Sequence, residues 1–433
     1  MKNLGCGRIR GLVLEDALLF RGVPFAEARR FELPVPIRKW EGEFDATGDE
    51  LECPQLSSYT DDSERFYTRE FRPGVRFSYA ESPLTCNIIT PKDASGCPVL
   101  IYIHGGGFNT GKQSELPVGT STEYAKRGII LVSLGYRVSV FGLYRSRNYC
   151  LHDQIAGIRW IRDNIAAFGG DPEQITICGQ SAGGMSVMSL LFSEELKGII
   201  RGAFMMSGGG FFPAFGYPWT EKESKAFWDG VEKRAGCSSE EELKTVPAER
   251  LWNAWWEEKQ KNGSLHLLQS GVDGHLVPCR PSKIRRKGGP LLDVPILIGA
   301  TSQDMMAPVI MHRMVLSFGL WSARRGRAPV YGYLFDRVPP GKVFKAFHSA
   351  DLWYFFGNMD RSWRPFGSRD EELLKEMADA VASFVRTQDP GWAPITPRMR
   401  KLRYFGDRKL TMISTLQALP ELIRNTILER GPM

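Results

Sequence analysis

The ten residues Ile175-Thr-Ile-Cys-Gly-Gln-Ser-Ala-Gly-Gly184 constrain this chain more than any other stretch. An alternating apolar run (Ile175, Ile177, Cys178) leads into Gly179-Gln180-Ser181-Ala182-Gly183, and a small-residue, Met- and Leu-rich segment with helical spacing follows to Phe192. The pattern reads as strand, sharp turn, helix. In a G-x-S-x-G set between a strand and a helix, the two glycines let backbone pass close on both sides of a strained turn, so the Ser181 hydroxyl stands exposed above a sheet. The motif alone is weak in 433 residues. Its flanks give it weight, because a serine in a solvated glycine turn needs no apolar run on either side.

An elbow of this kind needs a sheet beneath it. Pro98-Val-Leu-Ile-Tyr-Ile103 is a near-continuous apolar run, the mark of a buried central strand, and Ile129 to Leu134 is another. Asn87 to Thr90, Ala203 to Ser207, Val294 to Ile298 and Val330 to Phe335 read as further strands, the last of them ending the strong series. From His152 to Phe168 apolar residues recur at helical spacing (Ile155, Ile158, Trp160, Ile161, Ile165), with Asp153 placed to cap or support the helix start and Gly169-Gly170-Asp171-Pro172 to stop it. Strand, helix, strand in this order is a parallel βαβ unit, with chemistry expected at the carboxyl ends of the strands. Arg8 to Leu14 and Leu18 to Gly22 read as a hairpin through Glu15-Asp16, and the Pro- and Arg-rich stretch to about residue 80 as irregular. Residues 211–290 change character. Five of the eleven tryptophans (219, 228, 252, 255, 256) fall here among charged helical stretches, which predicts a helical insertion over the site whose aromatics serve mainly for packing. The expected fold is α/β, a mostly parallel central sheet flanked by helices, in one domain over residues 1–433.

Composition narrows the function classes. The chain carries 42% hydrophobic residues and a net charge of +7, a surplus spread thinly rather than gathered into a stripe. Its two short basic runs, Lys283 to Lys287 and Arg324 to Arg327, lack interleaved aromatics and read as solvated loops rather than nucleic-acid or membrane sites. The eight cysteines form no C-x-x-C pair and no Cys/His cluster of zinc-like spacing, so no metal site is expected. An even cysteine count permits disulfides, but a chain of this size needs none, and the start is interrupted by Glu15 and Asp16 before any leader-like apolar region; the expectation is the cytoplasm with free thiols, and with no apolar run near eighteen residues no membrane span is expected.

The buried run at 98–103 ends in His104-Gly105-Gly106-Gly107-Phe108. Three glycines there cost conformational entropy that a purely structural turn would not require. Their bare N–H groups can approach a ligand oxygen, and for an acyl carbonyl that is an oxyanion hole. No Lys-Ser/Thr follows, as a phosphate loop would need. A serine hydroxyl also needs a base to take its proton, and the base an acid to orient it. On an elbow fold these follow in the order Ser, Asp/Glu, His. Of six histidines, His104 and His152 precede Ser181, His266 and His275 lie in the insertion, and His312 sits in a helical pattern. His348 comes after the last strong strand and is the expected base. Asp304, on a loop at a strand's end, is the favoured acid, with Asp273 and Asp293 as rivals.

These residues resemble the type-B carboxylesterase/lipase family, the α/β-hydrolases that include cholinesterases and bacterial esterases, and the resemblance runs almost end to end. Gly22-Val-Pro-Phe-Ala26 is similar to the family's G-I-P-Y-A, Cys53-Pro-Gln to its C-P-Q, His104 to Phe108 to its H-G-G-G-F, and Asp153-Gln154 through Asn164 to Pro172 to its most recognisable block. By position the resemblance implies Ser181 as nucleophile, Asp304 as acid, His348 as base, and Gly106, Gly107 and Ala182 as the oxyanion-hole donors. It implies two-step hydrolysis of a small-molecule carboxylic ester through an acyl-enzyme, without a cofactor, by a monomer or homodimer.

Four departures from the family pattern stand out. Asp304 is one methylene shorter than the usual Glu, so the His348 loop must come closer or the hydrogen bond lengthen. Gln180 stands where Glu is common, removing a negative charge beside the base. Only 44 residues separate Asp304 from His348, roughly half the family's spacing, which predicts a shallower, more open site. The family's first disulfide fails in register, with Pro83 where a partner for Cys53 would be and Cys86 three residues away. Two other functions remain open on the sequence: an amidase, carbamate or lactone hydrolase with the same triad, and a weakly active or non-catalytic binding protein on this fold.

Overall fold

A computed structural model of the chain describes residues 1–59, 64–73, 78–211, 218–261, 270–289, 291–305, 308–341, 345–408 and 411–414. His266, and the parts of the expected insertion at 212–217, 262–269 and 290, lie outside the described residues.

The near-continuous apolar runs form a sheet that is covered on both faces. In the strand Cys97–Ile103, the side chains of Val99, Ile101 and Ile103 enter one apolar cluster and those of Leu100 and Tyr102 the other. The strands of the sheet are β1 (Leu12–Val13), β2 (Ala17–Pro24), β3 (Thr85–Pro91), β4 (Cys97–Ile103), β5 (Ile130–Leu134), β6 (Gly170–Gln180), β7 (Ile200–Met206), β8 (Ile296–Thr301), β9 (Val330–Phe335), β10 (Lys401–Phe405) and β11 (Met412–Ser414). Their spatial order is β11-β10-β9-β8-β7-β6-β4-β5-β3-β2-β1. All neighbours from β5 to β10 run parallel, and the two flanks are antiparallel. This is the α/β-hydrolase arrangement. The order in which successive strands are added reverses around β4, which lies between β5 and β6, so a crevice opens at the carboxyl ends of these strands.

Several local expectations change. Leu12–Val13 does pair with Ala17–Pro24, but Gly7–Arg10 leaves the hairpin for a separate three-stranded sheet. The stretch read as irregular holds short strands and two short helices, including α1 (Phe66–Phe71). Val330 to Phe335 does not end the sheet, because β10 and β11 follow it. The helix α2 spans Tyr149–Asn164, so Asp153 sits inside it and does not cap it; fully buried, its carboxylate pairs with Arg137 at 2.6 Å. A buried guanidinium needs that partner more than the helix start needs a cap.

The insertion is helical, with α3 (Glu221–Ala235) and α4 (Ala248–Lys261) packed on each other. Trp228, Trp252 and Trp255 are buried in its core, so packing is what these aromatics do. Arg327 donates to the carbonyls of Leu291 and Leu292, which makes part of the second basic run a structural tie. All eight cysteines are free thiols. Among the described residues, no helix is long and apolar enough to cross a membrane, and no group of three or more His, Cys, Asp or Glu side chains could hold a metal ion.

Candidate active site

Ser181 follows β6 directly and precedes the helix Ala182–Leu190, with φ 57° and ψ −120°. Few non-glycine residues adopt that conformation, and it turns the hydroxyl out of the sheet. Contact distances explain both glycines of the motif. A Cβ at Gly179 would lie 2.4 Å from the Gly183 carbonyl, and one at Gly183 only 2.0 Å from the Ile103 carbonyl oxygen. The turn therefore stacks directly on the end of β4, where the glycine loop starts.

That loop, Gly105 to Gly107, runs beside Ser181. Gly106 has φ 90° and Gly107 φ 61°, and a Cβ at Gly106 would meet the Thr110 carbonyl at 2.2 Å. His104 anchors the loop rather than taking part in proton transfer. Its ring stacks on Tyr136 at 4.1 Å, and burial pushes its imidazole down to about 3. Gly106, Gly107 and Ala182 all line the cavity that Ser181 faces.

His348 and Asp304 meet there too. His348 Nδ1 lies 2.6 Å from Asp304 Oδ1, and Thr301 Oγ1 and the Met305 N–H also donate to the carboxylate, at 3.0 and 2.8 Å. Burial alone would raise the Asp304 carboxyl, but the charge and hydrogen bond of His348 oppose it and hold the group below its ordinary value. Of the two ways a short acid could reach, the chain uses the closer loop. The Gln303 N–H donates to the Ala346 carbonyl and the Ala346 N–H to Gln303 Oε1, zipping the two loops together next to the pair. With the Nδ1 proton directed at Asp304, Nε2 is an acceptor, and the Gln180 amide N–H donates to it at 3.2 Å.

The rivals fall elsewhere. Asp273 accepts from the His275 and Val277 N–H groups and from Asn148 Nδ2, while exposed Asp293 accepts from the Ala328 N–H. His312 is buried in its helix, its imidazole pushed down to about 4 by desolvation.

The cavity holds about 360 Å³ and is mostly apolar, with Leu56, Phe66, Phe71, Leu116, Met185 and Leu352 on its walls. Among the described residues none of the insertion lines it; the wall comes instead from the stretch read as irregular. Tyr67 on α1 donates its hydroxyl to the His348 carbonyl oxygen at 3.3 Å and stacks on Phe71 at 6.2 Å. The spacing of Tyr67 and Phe71, one helical turn apart, is the sequence signal that could have found this wall.

A family model described as the Carboxylesterase family matches residues 2–318 and 311–417. The chain is 28% identical to the para-nitrobenzyl esterase of Bacillus subtilis, with 89% of each sequence covered. It is 30% identical to the pyrethroid hydrolase Ces2a of Mus musculus, over 90% of this chain and 84% of that one. A solved PNB esterase structure superposes with a TM-score of 0.80 at 25% identity, covering 97% of this chain and 99% of the other.

Proposed function

The chain belongs to the carboxylesterase family and is a carboxylic ester hydrolase, and on that premise we propose that Ser181 is the nucleophile, His348 the base and Asp304 the acid that orients it. The N–H groups of Gly106, Gly107 and Ala182 form the oxyanion hole. The observation that carries this reading is the 2.6 Å contact of buried Asp304 with His348, which lines the same cavity as the strained Ser181.

In the first step Ser181 Oγ bonds to the ester carbonyl carbon while its proton passes to His348 Nε2, which must release the Gln180 amide to receive it. The developing oxyanion meets the glycine and Ala182 N–H groups. The carbon–oxygen bond to the alcohol then breaks, and the alcohol leaves with the proton from His348. Water repeats the sequence on the acyl-enzyme and frees the acid. Asp304, ionised at neutral pH, stabilises the imidazolium in both halves. The substrate is a small-molecule ester, the enzyme a monomer or homodimer. Its eight free thiols suit the reducing cytoplasm.

The test is hydrolysis of short and medium p-nitrophenyl esters by the wild type beside Ser181→Ala. The variant is expected to lose roughly 10⁴–10⁶ in turnover. A loss of under tenfold would reject Ser181, and no turnover by the folded wild type would move the reading to an amide or carbamate substrate or to a binding role.

A further inference from the structure

The two basic runs, Lys283 to Lys287 and Arg324 to Arg327, lie apart in the sequence but together in the fold, and Trp321 joins them. At the end of the helix Pro308–Ala323, its indole N–H donates to the Arg285 carbonyl at 3.1 Å. The Arg325 guanidinium lies over its ring at 4.9 Å and donates to the same carbonyl at 3.4 Å. Arg327 lies over that ring too, at 5.6 Å, while tied to the Leu291 and Leu292 carbonyls. Lys283, Arg285, Arg286 and Lys287 are exposed on the short helix Pro281–Lys287; Arg324 and Arg325 are exposed on the turn after Trp321, with half-buried Arg327 beyond. Of these seven side chains only Arg327 forms an ion pair among the described residues, with exposed Asp293 at 3.5 Å. The carboxylates on adjoining segments are paired elsewhere, Glu223 with Arg280, Glu194 with Lys197 and Glu195 with Arg159. Asp293 precedes β8 and Arg327 precedes β9, so the patch sits at the amino ends of the parallel strands, whereas Ser181 and Asp304 follow the carboxyl ends of β6 and β8.

We propose that this patch is a docking surface for an anionic phospholipid bilayer, held by charge at the end of the molecule opposite the cavity. Each run alone is a solvated loop; joined, they gather as many cations as the polybasic segments that adsorb to anionic lipid. What the patch lacks selects the partner. Among the described residues none of the exposed large apolar side chains lies in either run. The patch therefore has no aromatic ring on which a base could stack and no apolar centre of the kind a specific protein interface buries. An anionic bilayer needs neither, because its headgroups attract by charge alone. Duplex nucleic acid can also be held by charge, but lipid fits the chemistry of the enzyme. A largely apolar cavity takes esters that concentrate at bilayers, and docking by the opposite end leaves its mouth open. The ties to Trp321 and to backbone carbonyls fix Arg325 and Arg327 before any partner arrives, so little side-chain entropy is lost on docking. Without an apolar anchor the attachment is reversible and sensitive to salt. The assignment of Ser181 as nucleophile plays no part in it.

Co-sedimentation of the full chain with vesicles tests it, comparing pure phosphatidylcholine with phosphatidylcholine that contains about one-third phosphatidylserine. The wild type is expected to bind only the second, and to lose more than about tenfold in partition coefficient between about 0.05 M and 0.3 M salt. The triple variant Lys283→Glu, Arg286→Glu, Arg324→Glu should lower that coefficient by about 100-fold or more at low salt. A second triple, Arg38→Glu, Lys39→Glu, Lys233→Glu, changes the net charge equally at exposed positions away from the patch and should cost less than about tenfold. Turnover of a p-nitrophenyl ester in solution, within about twofold of the wild type, reports that each triple is folded; if a triple loses it, the single changes Arg324→Glu and Lys39→Glu repeat the comparison, with about fivefold or more expected at Arg324 alone. Absence of wild-type binding to the phosphatidylserine vesicles at low salt overturns the proposal, and so do equal losses in the two triples, which would assign the binding to net charge. Tighter binding to duplex DNA than to the vesicles, compared per phosphate, would give the patch to nucleic acid and overturn it as well.

Discussion

The cavity has two walls built on different principles. At the strand ends the wall is backbone: the glycine loop and the elbow pack so closely that a Cβ added at Gly106, Gly179 or Gly183 collides at 2.0–2.4 Å. Opposite, the wall is side chain: Leu56, Phe66, Tyr67, Phe71 and Leu116, from segments distant in sequence from the elbow. Their carboxylates differ in the same way. Asp304 receives hydrogen bonds on both oxygens and is held low; Glu52 keeps one buried oxygen without a hydrogen-bond partner among the described residues and is pushed up to about 7. Burial is common to both, so the direction is set by what opposes it: the charge and hydrogen bond of His348 outweigh desolvation at Asp304, whereas the charges of Arg72 and Lys112 do not outweigh it at Glu52.

Breaking the backbone wall at its charges should cost most. After the loss of Ser181, the largest expected effect is that of Asp304→Asn, which keeps the shape but donates to His348 Nδ1 and so favours the wrong tautomer. Turnover of a p-nitrophenyl ester should fall about 10⁴-fold; an unchanged rate would remove Asp304 from the mechanism. A gentler change sharpens the comparison by placing a carboxylate beside the base. Gln180→Glu sets a negative charge near His348 Nε2, which favours the imidazolium, so the acid limb of the kcat/KM profile should move up by about 1 pH unit. An unmoved limb would mean that Gln180 does not face the base during turnover.

The smallest effect concerns Asp351, on the same side as Asp304 but with only one oxygen satisfied. Tyr333 donates to it at 2.7 Å, its other oxygen has no partner among the described residues, and burial pushes its carboxyl up to about 6. With a folded value above the unfolded one, the native state holds the proton longer, so stability falls as pH rises from about 4 to about 6 and stays lower above that. Asp351→Asn should remove about 2 kcal/mol of this pH-dependent loss, read as a smaller drop in unfolding free energy between pH 4 and pH 8. An equal drop in both proteins would mean that Asp351 does not carry the penalty.

The sequence by itself determined the elbow, the glycine loop, the central strands and the order in which Ser181, Asp304 and His348 follow one another. Each is a local pattern with a local cause: alternation, glycine where backbone must approach backbone, a polar residue at a strand's end. It also singled out His348, because six histidines allow elimination by topology. Only the tertiary structure decided the rest. Asp153 reads as a helix support until Arg137 arrives beside it, and the stretch before residue 80 reads as irregular until Tyr67 reaches the His348 carbonyl. The short Asp304 raised a question of reach that its own loop could not answer, since the Ala346 strap comes from more than 40 residues away. Contacts across such distances leave no period in a sequence; the solvent each group loses and the partner it gains exist only once the chain has closed.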